Sequence, residues 1–339
     1  MPITRRRFIK KTFAFSAAAA LMGNRRFALA ADIVAAAPPS EPAQHYLSVG
    51  DYGVVKGDLP RQQAVASAMI KYAAATSLKP DALFMLGDNF YGGLAGKGLK
   101  SPRWQTNLEE MYPAQSFPGP MYAMLGNHDY NDEGGKRSVD AQLAYRDANP
   151  TARWTLPSKW YRLELPPTPP AEKSLATILV LDTNFNYRDA HIMGDFERGV
   201  QLSWLAAELD KPRTAPWLFV FGHHPVYSSG KHGDTDDLVA AVEPLLSKAK
   251  VDLYLSGHDH DLQHLEIEGH PTSFVVSGAG GARTRTTPFD THGPFGKAVY
   301  GFSHLELRHS SFTLRHIDAN GNQLHAFTRA RDGKVVNFA

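Results

Sequence analysis

The sequence predicts an α/β fold: a four-layer α/β/β/α sandwich of two mixed sheets flanked by helices. Two observations predict it. Before residue 262, short apolar runs alternate with amphipathic segments, which is the pattern of repeated strand-then-helix units. After residue 262 the pattern changes to short alternating segments, which are typical of half-buried antiparallel strands. Since the sequence shows no internal repeat and no interdomain linker, residues 45–339 are predicted to form a single domain.

The elements follow from these patterns in order. The run at 174–182 is almost continuously apolar, which suits a strand buried on both faces. Apolar runs predict early strands over 45–50, 81–87, 120–126, 174–182, 216–222 and 251–257. Helical spacing predicts helices over 61–77, 103–112, 138–148, 199–210 and 236–249. Alternation predicts later strands over 262–269, 272–278, 299–308 and 311–317.

The N-terminal segment has the layout of a twin-arginine export signal. The stretch TRRRFIK at 4–10 precedes a mild apolar run, and ALA at 28–30 provides a small-residue cleavage site. We therefore expect residues 1–30 to be removed after recognition by the twin-arginine export machinery, residues 31–44 to be a flexible lead-in, and the mature protein to be periplasmic or secreted. The alternative, a basic amphipathic anchor, fits less well because the run is too short and too alanine-rich to span a bilayer.

Charge and cysteine content narrow the function classes. Removing residues 1–30 takes away seven cationic residues and no acid, so the formal net charge changes from +2 to −5. A mature chain of that charge is predicted to have no nucleic-acid-binding footprint and no membrane anchor. The chain contains no cysteine, which excludes disulfides and thiolate metal sites, so any metal must be held by oxygen and nitrogen ligands.

Five predicted strands end in glycine followed by a polar side chain. The five sequences are VGDYG (49–53), LGDNFY (86–91), LGNHD (125–129), FGHHP (221–225) and SGHDH (256–260). Because ligands collect beyond the carboxyl ends of strands in open α/β sheets, we expect these five tips to converge on a metal site. They provide the candidate ligands Asp51, Asp88, Asn127, His223, His258 and His260. This oxygen and nitrogen set suits two neighbouring ions, the arrangement that acts on phosphate esters by in-line displacement.

The motifs resemble the calcineurin-like metallophosphoesterase superfamily, and within it the small, tartrate-resistant type of purple acid phosphatase. The resemblance covers about 45–280, and two details carry it: Asp51-x-Gly53 and Gly87-Asp88-x-x-Tyr91. It implies an exported acid phosphatase that hydrolyses phosphate monoesters by attack of a hydroxide on a dinuclear Fe(III)–M(II) centre. The substrate would be a small-molecule phosphate ester or a phosphoprotein.

The resemblance also implies how the ligands are shared. It assigns Fe³⁺ to Asp51, Asp88, Tyr91 and His260. It assigns a second divalent metal, Fe²⁺, Zn²⁺ or Mn²⁺, to Asp88, Asn127, His223 and His258, so that Asp88 bridges the two ions. Phenolate ligation of ferric iron would give the centre a charge-transfer colour.

Two further histidines are predicted to be catalytic. His128 follows ligand Asn127 and could bind a phosphate oxygen or protonate the leaving alkoxide. His232 stands where the resembled enzymes have a histidine facing the substrate phosphate. His224 is left outside the site, as a residue that either supports a ligand or packs behind it. The glycine-rich stretches at 92–103 and 277–282 are interpreted as a rim of the cleft and as a tight turn behind it.

Two alternatives remain open from the sequence. One is a phosphodiesterase of the same fold that acts on nucleotides or lipid head groups. The other is a non-catalytic iron-binding or redox protein that keeps the site. The presence of every expected ligand and of both candidate acids favours an enzyme. Arg283 and Arg285 follow the turn at 277–282. They could reach a substrate phosphate, but they are interpreted as solvated loop charges.

Overall fold

The computed structural model describes residues 41–94, 96–130, 132–133, 136–166, 174–185, 193–289 and 291–338. The predicted signal peptide and residues 31–40 of the lead-in lie outside these ranges. The compact unit that contains the strands and helices spans Ala43–Ala339. Over the described ranges, no helix has the length and apolarity needed to cross a membrane.

Strands account for most of the regular structure. In chain order the described strands are β1 (Gln44–Val49), β2 (Ala82–Met85), β3 (Met121–Ala123), β4 (Asp132–Glu133), β5 (Lys136–Arg137), β6 (Trp154–Thr155), β7 (Tyr161–Leu165), β8 (Ala176–Val180), β9 (Trp217–Phe221), β10 (Leu253–Ser256), β11 (Leu262–Glu266), β12 (Ser273–Ser277), β13 (Phe295–Lys297), β14 (Gly301–Leu307), β15 (Ser311–Asp318), β16 (Gln323–Ala330) and β17 (Val335–Phe338). The described α-helices are α1 (Leu59–Ala75), α2 (Ser138–Ala148), α3 (Asp195–Leu209), α4 (Asp236–Ala241) and α5 (Glu243–Ala249).

The first sheet has the strand order β17-β16-β15-β14-β1-β2-β3-β6. Its strands β1, β2, β3 and β6 are parallel neighbours. Strand β14 joins β1 antiparallel and begins a meander through β17. Because β1, β2 and β3 lie side by side and run the same way, the loops that follow them emerge at one edge of the sheet.

The second sheet has the order β13-β11-β12-β10-β9-β8-β7. Its central strands β8, β9, β10 and β12 are parallel, and β7, β11 and β13 pair antiparallel at its two sides. The loops after β9 and β10 therefore also emerge together. A short β4-β5 hairpin forms a separate ladder.

The two sheets pack face to face through alternate residues of their strands. Phe84 of β2 meets Phe221 of β9 edge to face at 5.0 Å, and Trp217 of β9 meets Phe312 of β15 in the same way, also at 5.0 Å. The intervening residues of the second sheet, such as Val220, belong to another cluster, formed with the apolar side chains of α3, α4 and α5. Such alternation is what a strand covered on both sides requires. The predicted two-sheet sandwich with flanking helices is confirmed.

Two segments differ from the prediction. The single helix expected over 236–249 is interrupted, with α4 ending at Ala241 and α5 beginning at Glu243. The cause is Pro244, which has no N–H for the helical ladder and is tolerated only in the first turn of a new helix. The helix expected over 103–112 forms wide π-type turns at Trp104–Glu109. The predicted strands are all present, whereas β4, β5, β6, β7, β13, β16 and β17 were not predicted.

Several histidines of the later strands are buried in hydrogen-bonded groups. His304 of β14 is 3% exposed. Its Nε2 lies 3.1 Å from His45 Nδ1, and its Nδ1 lies 2.9 Å from the Tyr72 hydroxyl. Burial, followed by the charges of Arg315 and His45, lowers the pKa of His304 to about 3. The folded protein therefore holds this imidazole neutral where an unfolded chain would protonate it.

We predict that His304 makes the fold less stable in acid. Since its pKa is lower in the folded protein, its contribution is complete above the unfolded pKa of about 6.5 and declines as pH falls toward 3, by up to about 1.4 kcal/mol per pH unit. Urea unfolding at pH 7, 5.5 and 4.5 measures this. The His304→Gln variant should lose less stability over this range than the wild-type protein, and parallel pH profiles would contradict the assignment.

Candidate metal centre

The predicted ligands lie at the ends of five parallel strands that belong to two sheets. Asp51, Asp88 and Asn127 follow β1, β2 and β3, whereas His223 follows β9. His258 and His260 follow β10. In every case glycine separates the strand from its first ligand. The structure brings all of these side chains together, as the sequence pattern predicts.

One group of donors contains Tyr91, Asp51 and His260. The Tyr91 hydroxyl lies 3.0 Å from Asp51 Oδ1 and 3.1 Å from His260 Nε2, and His260 Nε2 lies 3.4 Å from Asp51 Oδ1. Adjacent ligands of an octahedral ion with bonds of about 2.1 Å are separated by about 3 Å. The His260 Nδ1–H donates to the carbonyl of Arg283 at 2.9 Å, which leaves Nε2 facing the other two donors.

A second group contains Asn127, His223 and His258. Asn127 Oδ1 lies 3.3 Å from His223 Nε2 and 3.1 Å from His258 Nδ1. The Nδ1–H of His223 donates to the Leu86 carbonyl at 2.8 Å, so its Nε2 atom faces the group. Burial and the surrounding histidines, His224 first, lower the pKa of His258 well below its usual value. A neutral imidazole of this kind can bind a metal without first losing a proton.

Asp88 contacts both groups. Its Oδ1 lies 3.5 Å from His223 Nε2, and its carboxylate also forms a hydrogen bond with Tyr91. The backbone N–H of His128 donates to Asp88 Oδ1 at 2.8 Å. Burial alone would raise the pKa of Asp88, but the nearby imidazoles, His223 first, hold it below its ordinary value. A buried carboxylate between two donor groups is suited to bridging two cations.

Tyr91 is positioned to lose its proton to a metal. Burial and the carboxylates of Asp51 and Asp88 raise the pKa of its phenol well above the usual value. Without a cation the hydroxyl therefore remains protonated and donates to these carboxylates. Metal binding is coupled to release of such protons, because the ligand form is the deprotonated one.

Three ligand positions have an uncommon backbone conformation. Asp51, Asp88 and His258 have φ values of 57°, 52° and 68°, in the left-handed region that non-glycine residues rarely adopt. Such conformations persist only where the surrounding structure imposes them, and they concentrate at functional sites. Here the bend turns each side chain from the strand direction toward the shared centre.

The preceding glycines make room for the ligands themselves. A Cβ on Gly126 would lie 2.3 Å from both the backbone nitrogen and Oδ1 of Asp88. A Cβ on Gly87, whose φ is +88°, would lie 2.5 Å from His223 Nδ1. Glycine is therefore required at these strand ends because the neighbouring loop's ligand occupies the space of a side chain.

The two candidate catalytic histidines flank the donor groups. The His128 ring lies 4.3 Å from the Tyr91 ring, centroid to centroid. The His232 ring lies 4.4 Å from that of His258. Arg285 donates a hydrogen bond to His232 Nε2. Each candidate acid therefore lies beside a different donor group.

A buried carboxylate that the sequence analysis did not single out holds two of the ligand loops together. Asp129 accepts hydrogen bonds from the backbone N–H groups of Gly126 at 2.8 Å, Phe90 at 3.1 Å and Asn89 at 3.2 Å. Burial, and then the charge of Asp88, raises its pKa to about 6. Its position after the Asn-His pair in LGNHD was the available signal. Only the structure shows that Asp129 also accepts hydrogen bonds from the loop after β2, in addition to those from its own loop.

The predicted rim at 92–103 ends in an anchor. Arg103 donates through Nη1 to the Tyr91 carbonyl and through Nη2 to the Gly53 carbonyl, each at 2.6 Å, and to the Val54 carbonyl at 3.0 Å. Among the described residues, this guanidinium thus joins the loops that carry Asp51 and Tyr91. The C-terminal end of the 92–103 segment is therefore hydrogen-bonded to the loops that carry these two predicted ligands.

His224 lies next to the second donor group, and the 277–282 turn lies behind the first. His224 is buried, and its Nδ1 lies 2.9 Å from the Thr183 hydroxyl. Its ring lies 4.3 Å from that of His258, and one ring nitrogen lies within 4.8 Å of ligand atoms of both His223 and His258. The exclusion of His224 from the site therefore stays a prediction. At the turn, a Cβ on Gly278 would lie 2.7 Å from Asp51 Oδ2. Over residues 283–289 and 291–338, no helix follows this glycine-rich stretch. It therefore lies behind the site and lacks the context of a dinucleotide-binding loop.

A two-sheet sandwich that brings carboxylate, phenol, amide and imidazole donors together at its strand ends has the features of a metal-dependent hydrolase. Comparison with known proteins specifies the family. Residues 26–262 match the family model described as calcineurin-like phosphoesterase, and the chain belongs to that family.

The relatives point to one branch of it. The chain is 33% identical over 305 residues to human tartrate-resistant acid phosphatase type 5, which covers 84% of this chain and 90% of the relative. It is also 33% identical over 302 residues to purple acid phosphatase 7 of Arabidopsis thaliana, covering 84% and 86%. The predicted resemblance is confirmed: the chain is a purple acid phosphatase-like, metal-dependent phosphoester hydrolase, and its relatives imply a dinuclear metal centre.

Solved structures support the fold alone. The purple acid phosphatase PPD1 from yellow lupin seeds matches with a TM-score of 0.61 at 20% identity, covering 87% of this chain and 55% of that chain. GAP50, the anchor in the inner membrane complex of Plasmodium, matches with a TM-score of 0.67 at 23% identity, covering 85% and 88%. The same sandwich therefore occurs in proteins with different printed roles, so the donor set carries the functional argument.

We predict that Gly126→Ala disrupts the centre, because its Cβ has no room beside Asp88. Metal content after dialysis, measured by plasma mass spectrometry, should fall in this variant. The matched control is Gly199→Ala, on helix α3, where an added Cβ meets nothing within 4 Å. The control should retain its metal and gain about 0.5–1 kcal/mol of stability. Full metal content in Gly126→Ala would contradict the packing argument.

Proposed function

We propose that this protein is an exported acid phosphatase that hydrolyses phosphate monoesters at a dinuclear Fe(III)–M(II) centre. The observation that carries the proposal is the joining of two donor groups through buried Asp88, with one candidate acid beside each group. The similarity to named acid phosphatases supports the same conclusion.

The donor chemistry fits such a pair of ions. Asp51, Asp88, Tyr91 and His260 would hold Fe³⁺, for which an anionic phenolate and carboxylates are strong ligands. Asp88, Asn127, His223 and His258 would hold the divalent ion, Fe²⁺, Zn²⁺ or Mn²⁺. When bound, two such ions lower the pKa of water and stabilise charge on the attacking and leaving oxygens of a phosphate ester.

The protein's own residues would orient and protonate the substrate. His128 is half-buried beside Tyr91 and can donate to a phosphate oxygen or to the leaving alkoxide. His232 lies beside the other group, and the Asp259 carboxylate accepts its backbone N–H at 3.0 Å. General acid assistance from a positioned imidazole accelerates ester cleavage by about a hundredfold or more.

Export rests on the sequence. The arginines at 5–7, the mild apolar run that follows and ALA at 28–30 support passage through the twin-arginine machinery to the periplasm or the exterior. That route transports folded proteins, so the donor groups would be assembled before export. The proposed substrate is a small-molecule phosphate ester or a phosphoprotein.

We predict that the purified, metal-loaded mature protein prefers a phosphate monoester. Hydrolysis of p-nitrophenyl phosphate and of bis(p-nitrophenyl) phosphate, measured side by side from pH 4 to 7.5, tests this. The monoester should have the higher kcat/KM, with its best rate in acid. A preference for the diester would assign the protein to the phosphodiesterases of this fold. No turnover with both ions bound would indicate a non-catalytic iron protein.

We also predict that alanine at His128 or His232 lowers kcat for the monoester by about a hundredfold while both ions stay bound. Neither imidazole belongs to the two donor groups, so metal content should equal that of the wild-type protein. The matched control is His304→Gln, a buried histidine of β14 that contacts His45 and Tyr72 and should retain more activity than either variant. Unchanged kcat in both alanine variants would remove these residues from the mechanism.

A further inference from the structure

Arg285 lies at the edge of the proposed active site, where it contacts His232. The sequence favoured a solvated loop charge at this position and left contact with a substrate phosphate open. Its segment is fixed on both sides. The Arg283 carbonyl accepts the Nδ1–H of ligand His260 at 2.9 Å, and the Thr287 hydroxyl donates to the Ser229 carbonyl at 2.8 Å. Between these two contacts, Arg285 reaches His232.

The order of side chains from the metal donors outward gives Arg285 its position. His258 is a buried donor, and the His232 ring lies against it at 4.4 Å, centroid to centroid, with the two ring planes tilted by 39°. Arg285 contacts the Nε2 atom of His232 and is exposed. If a phosphate binds at the metal centre and contacts His232, Arg285 therefore lies on the far side of His232 from the metal donors, toward solvent.

The charge of Arg285 is available to a ligand. Over the described ranges it forms no ion pair, and the neighbouring carboxylates are engaged elsewhere. Asp234 pairs with His292 at 3.0 Å, and Asp259 accepts hydrogen bonds from the Ser228 hydroxyl and the His232 backbone. A guanidinium has five N–H donors in a planar fork that matches phosphate oxygens, and the contact with His232 leaves most of them free for a ligand.

Building on the proposed function, we propose that Arg285 is a specificity-determining residue that favours substrates with a second anionic group next to the scissile phosphate. Pyrophosphate-linked esters, such as nucleoside diphosphates, belong to this class. In this arrangement the scissile phosphate would bind at the metal centre beside His232. The second phosphoryl group would accept hydrogen bonds from the Arg285 guanidinium. Simple monoesters with a neutral leaving group lack this contact.

Binding tests the proposal independently of turnover. Isothermal titration of the metal-loaded protein would compare inorganic phosphate with methylenediphosphonate, a diphosphate analogue that resists hydrolysis. Arg285→Gln should weaken methylenediphosphonate by about tenfold, the typical effect of losing a charged hydrogen bond, and should weaken phosphate much less. The affinity of Arg285→Lys for methylenediphosphonate should lie between those of the wild-type protein and Arg285→Gln, since lysine keeps the positive charge but lacks the planar fork of donors. The matched control is Lys231→Gln, which removes an exposed cation adjacent to His232 and should behave as the wild-type protein.

Activity gives the second comparison. The ratio of kcat/KM for pyrophosphate, split by one water into two phosphates, to that for p-nitrophenyl phosphate should fall in Arg285→Gln by a similar factor. Equal losses for both ligands and both substrates would overturn the proposal, since Arg285 would then act only through His232. No loss would overturn it too. Failure of the wild-type protein to hydrolyse either substrate would instead refute the proposed function, and the binding comparison would still decide the role of Arg285.

Discussion

The structure depends on the burial of two carboxylates at the meeting edge of its two sheets. Asp51 and Asp88 are 0% and 1% exposed, and isolated buried charges of this kind are strongly unfavourable. Backbone N–H groups offset part of the cost: His258 donates to Asp51 and His128 donates to Asp88, each at 2.8 Å. Bound cations would offset the rest. Burial of these two carboxylates therefore carries a free-energy cost that a bound metal would reduce.

The neighbouring carboxylates act as a supporting layer. Asp129 holds the loops after β2 and β3 together, Asp259 fixes the backbone of His232, and Asp182 accepts a hydrogen bond from Tyr130 in the turn that carries His128. Each of them holds a segment next to a candidate ligand or acid. Rigid support of this kind keeps donor atoms at bonding separations before a metal arrives, and it sustains the left-handed backbone at the ligands.

Acid affects the fold and the proposed chemistry in opposite ways. A ferric ion keeps its bound water ionised at low pH, whereas buried neutral histidines such as His304 and His325, whose pKa values are lowered to about 3 and about 4 by burial first, favour the folded state near neutrality. Ions bound only by the folded chain add stability by mass action. Metal occupancy would therefore set how far into acid the protein stays folded.

The sequence by itself determined the sandwich, the family and the candidate ligands at the strand ends, because apolar periodicity and the glycine-plus-donor tips are local patterns. It could not determine β16, which depends on sheet pairing. The split between α4 and α5 follows from Pro244, a local signal that helical spacing alone does not register. Only the tertiary structure decided that Asp129 serves two loops and that Arg285 reaches His232, 53 residues away in the chain. Those contacts join segments distant in sequence, and local patterns carry no information about which distant side chain completes a contact.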